Sequence, residues 1–245
     1  MKIVIADTYD QLSVLAANDI IGKMNLIENP LICTASGDSP TGIYKEFVRL
    51  YKENRLDTSD WYFVGLDEWM GMNENDEGSC RYHLEQQLFQ PLHVSGGRLC
   101  FFDGRQPNAD LECDRIETFM LLHQQIQVAI IGLGLNGHIG MNEPHTPAHI
   151  RTHIADIDPL TAQTGQKYFK EARTLTQGLT LGIANLMEAK YVSLVVSGSK
   201  KAAIVKQVLE GEISTAVPAS LLRNHPGFTI YLDAEAASLL HKAHK

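Results

Sequence analysis

Short runs of β-branched and other apolar residues recur along this chain, and stretches with helical spacing separate them. "KIVIA" reads as a strand, and "DQLSVLAANDIIGKMN" follows with Leu12, Leu15, Ala16 and Ile20 at helical intervals. "PLICTAS" is a second strand, leading into "SGDSPTGIYKEFVRLYKEN". In that helix Pro40 suits the first turn, and Ile43, Phe47, Val48 and Tyr51 share one face. "WYFVGLDEW" reads as a third strand ending in the acidic pair Asp67 and Glu68. A loop and helix, "DEGSCRYHLEQQLFQPL", precede the strand "RLCFFDG". Then "DLECDRIETFMLLHQQ" is helical, "QVAIIGLG" and "KYVSLVVSG" are strands, and "KKAAIVKQVLEG" is a helix with Gly211 as its C-cap. "GFTIYLD" is the last strand. This alternation predicts an α/β fold, a doubly wound and mostly parallel sheet with helices on both faces. No repeat, low-complexity tract or linker interrupts it, so a single domain over residues 1–245 is expected.

Such a sheet binds ligands at the carboxyl ends of its strands. With 44% hydrophobic residues in 245, the chain can bury a sizeable core. Its formal net charge of -8 argues against an electrostatic nucleic-acid surface, though a local basic pocket for a small anion is compatible with it. The opening residues lack a signal-peptide pattern, and no apolar run approaches membrane-spanning length, so a cytoplasmic protein with no membrane partner is expected. Cys33, Cys80, Cys100 and Cys113 form no CxxC pair, which favours reduced, mostly buried thiols over a disulfide frame or zinc site. Cys80 falls in a loop with no activating base near it in sequence.

Three strand ends carry polar groups. "TASGDSPTG" opens a helix, whose first N–H groups and hydroxyls suit a phosphate. An ordinary cap, with Ser39 capping and Pro40 next, explains the same residues. The stretch fits neither GxxxxGK[ST] nor GxGxxG, and Asp38 would repel a phosphate unless aimed away. "FVGLDEWMG" places carboxylates at a strand end, suited to a general base or to a solvated turn. "GLGLNGHIGMNEPH" combines a tight glycine turn with His138, whose ordinary pKa suits proton transfer, and Glu143, which could orient it. A structural histidine fits equally, and a metal site would need His145 and Glu143 without the HExxH spacing. Together the three ends would converge on one crevice suited to moving protons on a phosphorylated small molecule.

"SGDSPTG", "GLDEW", "GLGLNGHIGMNEP", "TLGIANLMEAK", "VSGSKKA" and "TAVPASLLRNH" resemble, in order and over nearly the whole chain, the hexosamine-6-phosphate isomerase/deaminase family. That family shares a modified Rossmann-like fold with the 6-phosphogluconolactonases. "NEP" resembles the deaminase branch, and "LDEW", "GSC", "TLG" and "STAVPASLLRNH" look closest to galactosamine-6-phosphate members. The resemblance implies cofactor-free and metal-free conversion of an amino-sugar 6-phosphate to a ketose 6-phosphate and ammonia. It implies Asp67 as the base between carbons 2 and 1, His138 as the ring-opening acid/base, and Glu143 as its tuner. It also implies phosphate on Ser36, Gly37, Asp38 and Ser39, with Lys201 as counter-charge and Lys167 in place of a common arginine. A homo-oligomer is compatible with the resemblance, since the family includes monomers and hexamers.

The chain departs from the family in three places. Asn136 stands where many members carry Asp, and an amide can orient an imidazole without matching a carboxylate's stabilisation of imidazolium. Asp38 replaces the second glycine of the usual phosphate turn. Thr146-Pro147 and His153-Ile154-Ala155 replace the Ser pair and Arg-x-Lys of the allosteric deaminases, so an N-acetylglucosamine-6-phosphate effector site is not expected. The alternatives are a 6-phosphogluconolactone hydrolase, disfavoured by "NEP" and Asp67, and a sugar-phosphate-binding regulator that kept the pocket.

Overall fold

A computed structural model describes residues 1–94, 96–123 and 125–241. Seven parallel strands form the main sheet: β1 (Lys2–Ala6), β2 (Leu31–Thr34), β3 (Tyr62–Gly65), β5 (Leu99–Cys100), β6 (Ile126–Gly132), β9 (Tyr191–Val196) and β10 (Phe228–Asp233). Their spatial order is β1-β10-β9-β6-β2-β3-β5. All seven coincide with strands predicted from the sequence. From β2 the chain steps outward to β3 and β5, whereas from β6 it steps the other way to β9 and β10. The strand order therefore reverses between β2 and β6, which opens a crevice at their carboxyl ends.

Helices cover both faces, as the alternation predicts. On one side α1 (Tyr9–Met24) and α2 (Asp38–Lys52) bury Leu12, Ala16, Ile20, Ile43 and Phe47. On the other, α4 (Ala109–Leu122), α6 (Ile183–Glu188) and α7 (Ala202–Glu210) bury Ile116, Met120, Leu186, Val205 and Val208. β6 lies between the two layers and buries its first six residues, as a central parallel strand must. Leu15 departs from expectation and is 48% exposed, because the buried stripe of α1 runs through Leu12, Ala16 and Ile20 instead. Gly211 caps α7 as expected. Among the described residues no helix is long and apolar enough to cross a membrane.

The third predicted strand breaks in two. β3 ends at Gly65, and β4 (Asp67–Trp69) joins a separate antiparallel sheet of order β4-β8-β7, with β7 at His153–Asp156 and β8 at Gln177–Thr180. Leu66 is the crossing point. Its N–H donates to the Thr34 carbonyl of β2 at 3.0 Å, while its own carbonyl accepts the Leu181 N–H at 2.9 Å. Neither β7 nor β8 carries an apolar run or clean alternation that would mark it in sequence.

Candidate active site

The carboxyl ends of β2, β3, β6 and β9, four neighbours in the sheet, surround one cleft of about 200 Å³. Its lining includes Ser36, Gly37, Asp38, Ser39, Asp67, His138, Lys167 and Lys201. Asn136 and Glu143 stand behind His138 and reach the cleft through it. The structure thus brings the residues that the family resemblance implies for catalysis and phosphate binding to or directly behind one cleft, whereas His145 is not among its lining residues.

The turn after β2 is built from main chain. Gly37 is the N-cap of α2 at φ 113°, a conformation that a Cβ would strain. Ser39 is therefore not the cap, as the sequence suggested, but sits inside the first turn together with Pro40. Pro40 is tolerated there because the first N–H groups of a helix have no intrahelical acceptor. Thr41 Oγ1 donates to the Gly37 carbonyl at 2.8 Å. The Tyr9 hydroxyl accepts the Gly42 N–H at 2.7 Å and lies 2.8 Å from the Asp38 carbonyl. These bonds fix the turn, whose residues Ser36–Ser39 line the cleft.

Lys201 projects from the turn after β9, and its Nζ donates to the Leu133 carbonyl. Burial and the neighbouring Lys167 charge pull its pKa down to about 8, with Asp38 opposing. Lys167 reaches in from α5 (Pro159–Gly165) and its short extension, where it pairs with Asp38 and lies 4.8 Å from the centre of the Tyr168 ring. Burial lowers the Lys167 pKa, but contact with Asp38 and Tyr168 outweighs it and lifts the group above its ordinary value.

His138 also lines the cleft and is held by its Nδ1. That atom lies 2.8 Å from Asn136 Oδ1, 3.0 Å from Thr161 Oγ1 and 3.4 Å from Glu143 Oε2. The His138 backbone N–H also donates to Asn136 Oδ1 at 3.1 Å, and Asn136 Nδ2 donates to Glu143 Oε2 at 2.8 Å. These two bonds fix the amide orientation. Nδ1 must then carry the proton, since Oδ1 can only accept. In the neutral ring Nε2 is left with a free lone pair. Gly134 lets the ring fold over its own loop, because a Cβ there would collide with Cγ, Nδ1 and Cε1 of His138. The loop is braced from behind by the Ala219 N–H donating to the Gly137 carbonyl at 3.0 Å and the His145 N–H donating to Thr215 at 2.7 Å. Burial pushes the Glu143 carboxyl up, but bonds from His138, Thr161 and Asn136, with the His138 charge, outweigh it and hold the pKa below the ordinary value.

Asp67 begins β4, part-buried, and lines the cleft. Burial lifts its pKa to about 6, opposed by a Cys80 hydrogen bond and the His138 charge. Adjacent Glu68 is fully buried, and burial lifts it to about 7. Its carboxylate accepts the N–H groups of Trp69 at 2.8 Å and of Cys80 and Arg81 at 3.0 Å. Glu68 thereby pins the start of α3 (Cys80–Leu84) beside Asp67. Cys80 is not in a loop, as the sequence suggested, but opens α3, and burial with nearby carboxylates raises its thiol well above the ordinary range. All four cysteines are free and buried.

Sequence reasoning missed Thr161, Tyr168, His83 and the anchoring Glu68. Thr161 was within reach, since Asp158 caps α5 and Pro159 occupies its first turn, a recognisable start signal. Glu68 carried no signal to separate it from a solvated turn residue.

A parallel sheet whose reversal point gathers a carboxylate, a carboxylate-linked histidine and two lysines defines a small-molecule site of the sugar-phosphate type. Comparison with known proteins sharpens this. The chain belongs to the family described as glucosamine-6-phosphate isomerases/6-phosphogluconolactonase, which matches residues 11–231. It is 37% identical over 244 residues to a glucosamine-6-phosphate deaminase of Bacillus cytotoxicus, covering 99% of this chain and 90% of that protein. It is 32% identical over 241 residues to one of Clostridium acetobutylicum, covering 98% and 100% respectively. The structure of a monomeric glucosamine-6-phosphate deaminase superposes with a TM-score of 0.94 at 32% identity, covering 98% of this chain and all of that one. A 6-phosphogluconolactonase from Trypanosoma brucei, at TM-score 0.75 and 19% identity, shares the fold. The three deaminase relatives carry glucosamine names, not the galactosamine name that the motif resemblance suggested.

Proposed function

We propose that the chain opens, isomerises and deaminates an amino-sugar 6-phosphate, glucosamine 6-phosphate or its galactosamine epimer, with residues 1–245 acting as one domain. The observation that carries this reading is the shared cleft, lined by Asp67 and His138 together with the Ser36–Ser39 turn, Lys201 and Lys167. The phosphate lies on the turn, which sets the sugar ring between base and imidazole. His138 moves a proton between the anomeric hydroxyl and the ring oxygen, giving the open-chain aldehyde. The aldehyde acidifies the carbon 2 proton, which Asp67 removes. The resulting enolamine is reprotonated at carbon 1 by the same carboxyl to give an imine at carbon 2. Water adds to the imine and ammonia leaves, yielding the ketose 6-phosphate. An Asp67 pKa near 6 suits a carboxyl that must both take and return a proton near neutral pH. Glu143, relayed by Asn136, supports the imidazolium that forms while the ring opens. Each well-placed acid or base contributes about 10²–10⁴-fold in rate.

A phosphorylated metabolite as substrate supports a cytoplasmic location, and the solved relative described as monomeric supports a monomer. The test is paired: purified protein is incubated with each epimer, and ammonia and ketose phosphate are measured without added metal. Stoichiometric ammonia from either epimer is expected. Turnover of neither, with acid release from 6-phosphogluconolactone, would replace this reading by the lactonase one.

A further inference from the structure

An anion and a cation meet across the mouth of the cleft. The Asp38 carboxylate, in the first turn of α2, touches the Lys167 ammonium, 129 residues further along the chain. Their side chains are 73% and 47% exposed, so the pair stands in water. Lys201 lies deeper and bonds a carbonyl rather than a carboxylate. Burial and the Lys167 charge lower its pKa while Asp38 raises it, so all three groups share one local field. Two cations thus face the turn that would hold a phosphate, and one of them is already neutralised by a carboxylate belonging to that same turn.

We infer that Asp38 is a built-in counter-ion for Lys167 which an incoming phosphoester must displace, so that Asp38 weakens the grip on the sugar phosphate. The inference rests on the deaminase reading for the identity of the substrate, but not for the ion pair itself. Displacement is favoured by geometry. An exposed ion pair separates at little cost, and the turn's main chain is held independently by Tyr9 and Thr41. The carboxylate can therefore rotate outward while the N–H groups stay in place. Two other roles for the same side chain predict different outcomes: direct bonding to a sugar hydroxyl, and plain repulsion of the phosphate irrespective of Lys167.

The test is a double-mutant cycle with Asp38→Asn, Lys167→Gln and the double variant. KM for the amino-sugar 6-phosphate and the dissociation constant for inorganic phosphate, by calorimetry, are measured for all four proteins. Asp38→Asn is expected to lower both constants by about three- to fivefold, the scale of an exposed ion pair. Lys167→Gln should raise both. In the Lys167→Gln background the effect of Asp38→Asn should shrink below about twofold, because the lysine it releases is gone. An equal or larger gain in that background would mean simple repulsion and overturn the inference. A rise in KM on Asp38→Asn would mean a substrate hydroxyl ligand and overturn it as well. If the wild type turns over neither sugar, the deaminase reading fails, while the phosphate titrations still decide the counter-ion role.

Discussion

Replacing Asn136 with alanine removes three bonds at once: the 2.8 Å acceptor of His138 Nδ1, the 3.1 Å acceptor of the His138 backbone N–H and the 2.8 Å donor to Glu143 Oε2. Glu143 Oε1 is buried without a hydrogen-bond partner among the described residues, so after the loss its carboxylate would rely on His138 and Thr161. A hydrogen bond to a charged group is worth about 1.5–3 kcal/mol, which puts the expected loss of stability near ~2 kcal/mol at neutral pH. The pH dependence has a definite sign. Glu143 is held below its ordinary value of 4.5 in the fold, so its stabilisation is complete above that value and is lost as pH falls through the folded one. The deficit of Asn136→Ala should thus be largest at neutral pH and shrink as pH falls below the ordinary value of 4.5. An imidazole free to turn should lower kcat by about 10- to 100-fold, part of what a positioned acid/base supplies. KM should hardly change, because Asn136 stands behind the cleft wall. Urea unfolding followed by the fluorescence of Trp61 and Trp69 gives the first quantity, and an ammonia-coupled assay gives the second. A kcat within twofold of wild type, or a deficit independent of pH, would refute the assigned role of the amide.

Asp67→Asn should still bind substrate but lose proton exchange at carbon 2, with kcat down at least ~10²-fold. The same variant should be more stable at neutral pH by about 1–3 kcal/mol, since a carboxyl lifted to about 6 by burial costs stability above that pH and regains it as pH falls. Thermal unfolding at neutral and mildly acidic pH checks the sign. For Lys201, pulled down to about 8, affinity for the sugar phosphate should decline as pH rises through that value, and Lys201→Met should raise KM and abolish this limb of a KM–pH profile. Glu68→Ala leaves the buried N–H groups of Trp69, Cys80 and Arg81 without their acceptor, and should destabilise by about 2–4 kcal/mol in denaturant titration.

Most of the main sheet was legible because its strands are buried on both faces and stand out as apolar runs, "QVAII" above all. β7 and β8 were not, since "HIAD" and "QGLT" belong to a small sheet held by pairing partners distant in the chain. The break at Leu66 is equally silent: a main-chain crossing between two sheets leaves no mark in side-chain periodicity. In the site, His138, Glu143 and Asp67 were named from strand-end placement and from family motifs; His138 and Asp67 line one cleft, and Glu143 stands behind His138. The geometry corrects the weight given to Asn136. It bridges His138 and Glu143 beside their direct 3.4 Å contact, rather than serving as a weakened copy of a carboxylate. The Asp38–Lys167 pairing could not be read at all, because 129 residues separate its members and no periodicity relates them.

The crossing at Leu66 also bears on the order in which the molecule comes together. Asp67 pairs with Thr180, and Leu66 bonds both Thr34 and Leu181, so the base is seated only when segments from the beginning, middle and later part of the chain have met. Contacts so remote in sequence close late, after local helices have formed. During refolding, helical signal should recover ahead of turnover. A partly assembled chain would carry every catalytic side chain and still be inert.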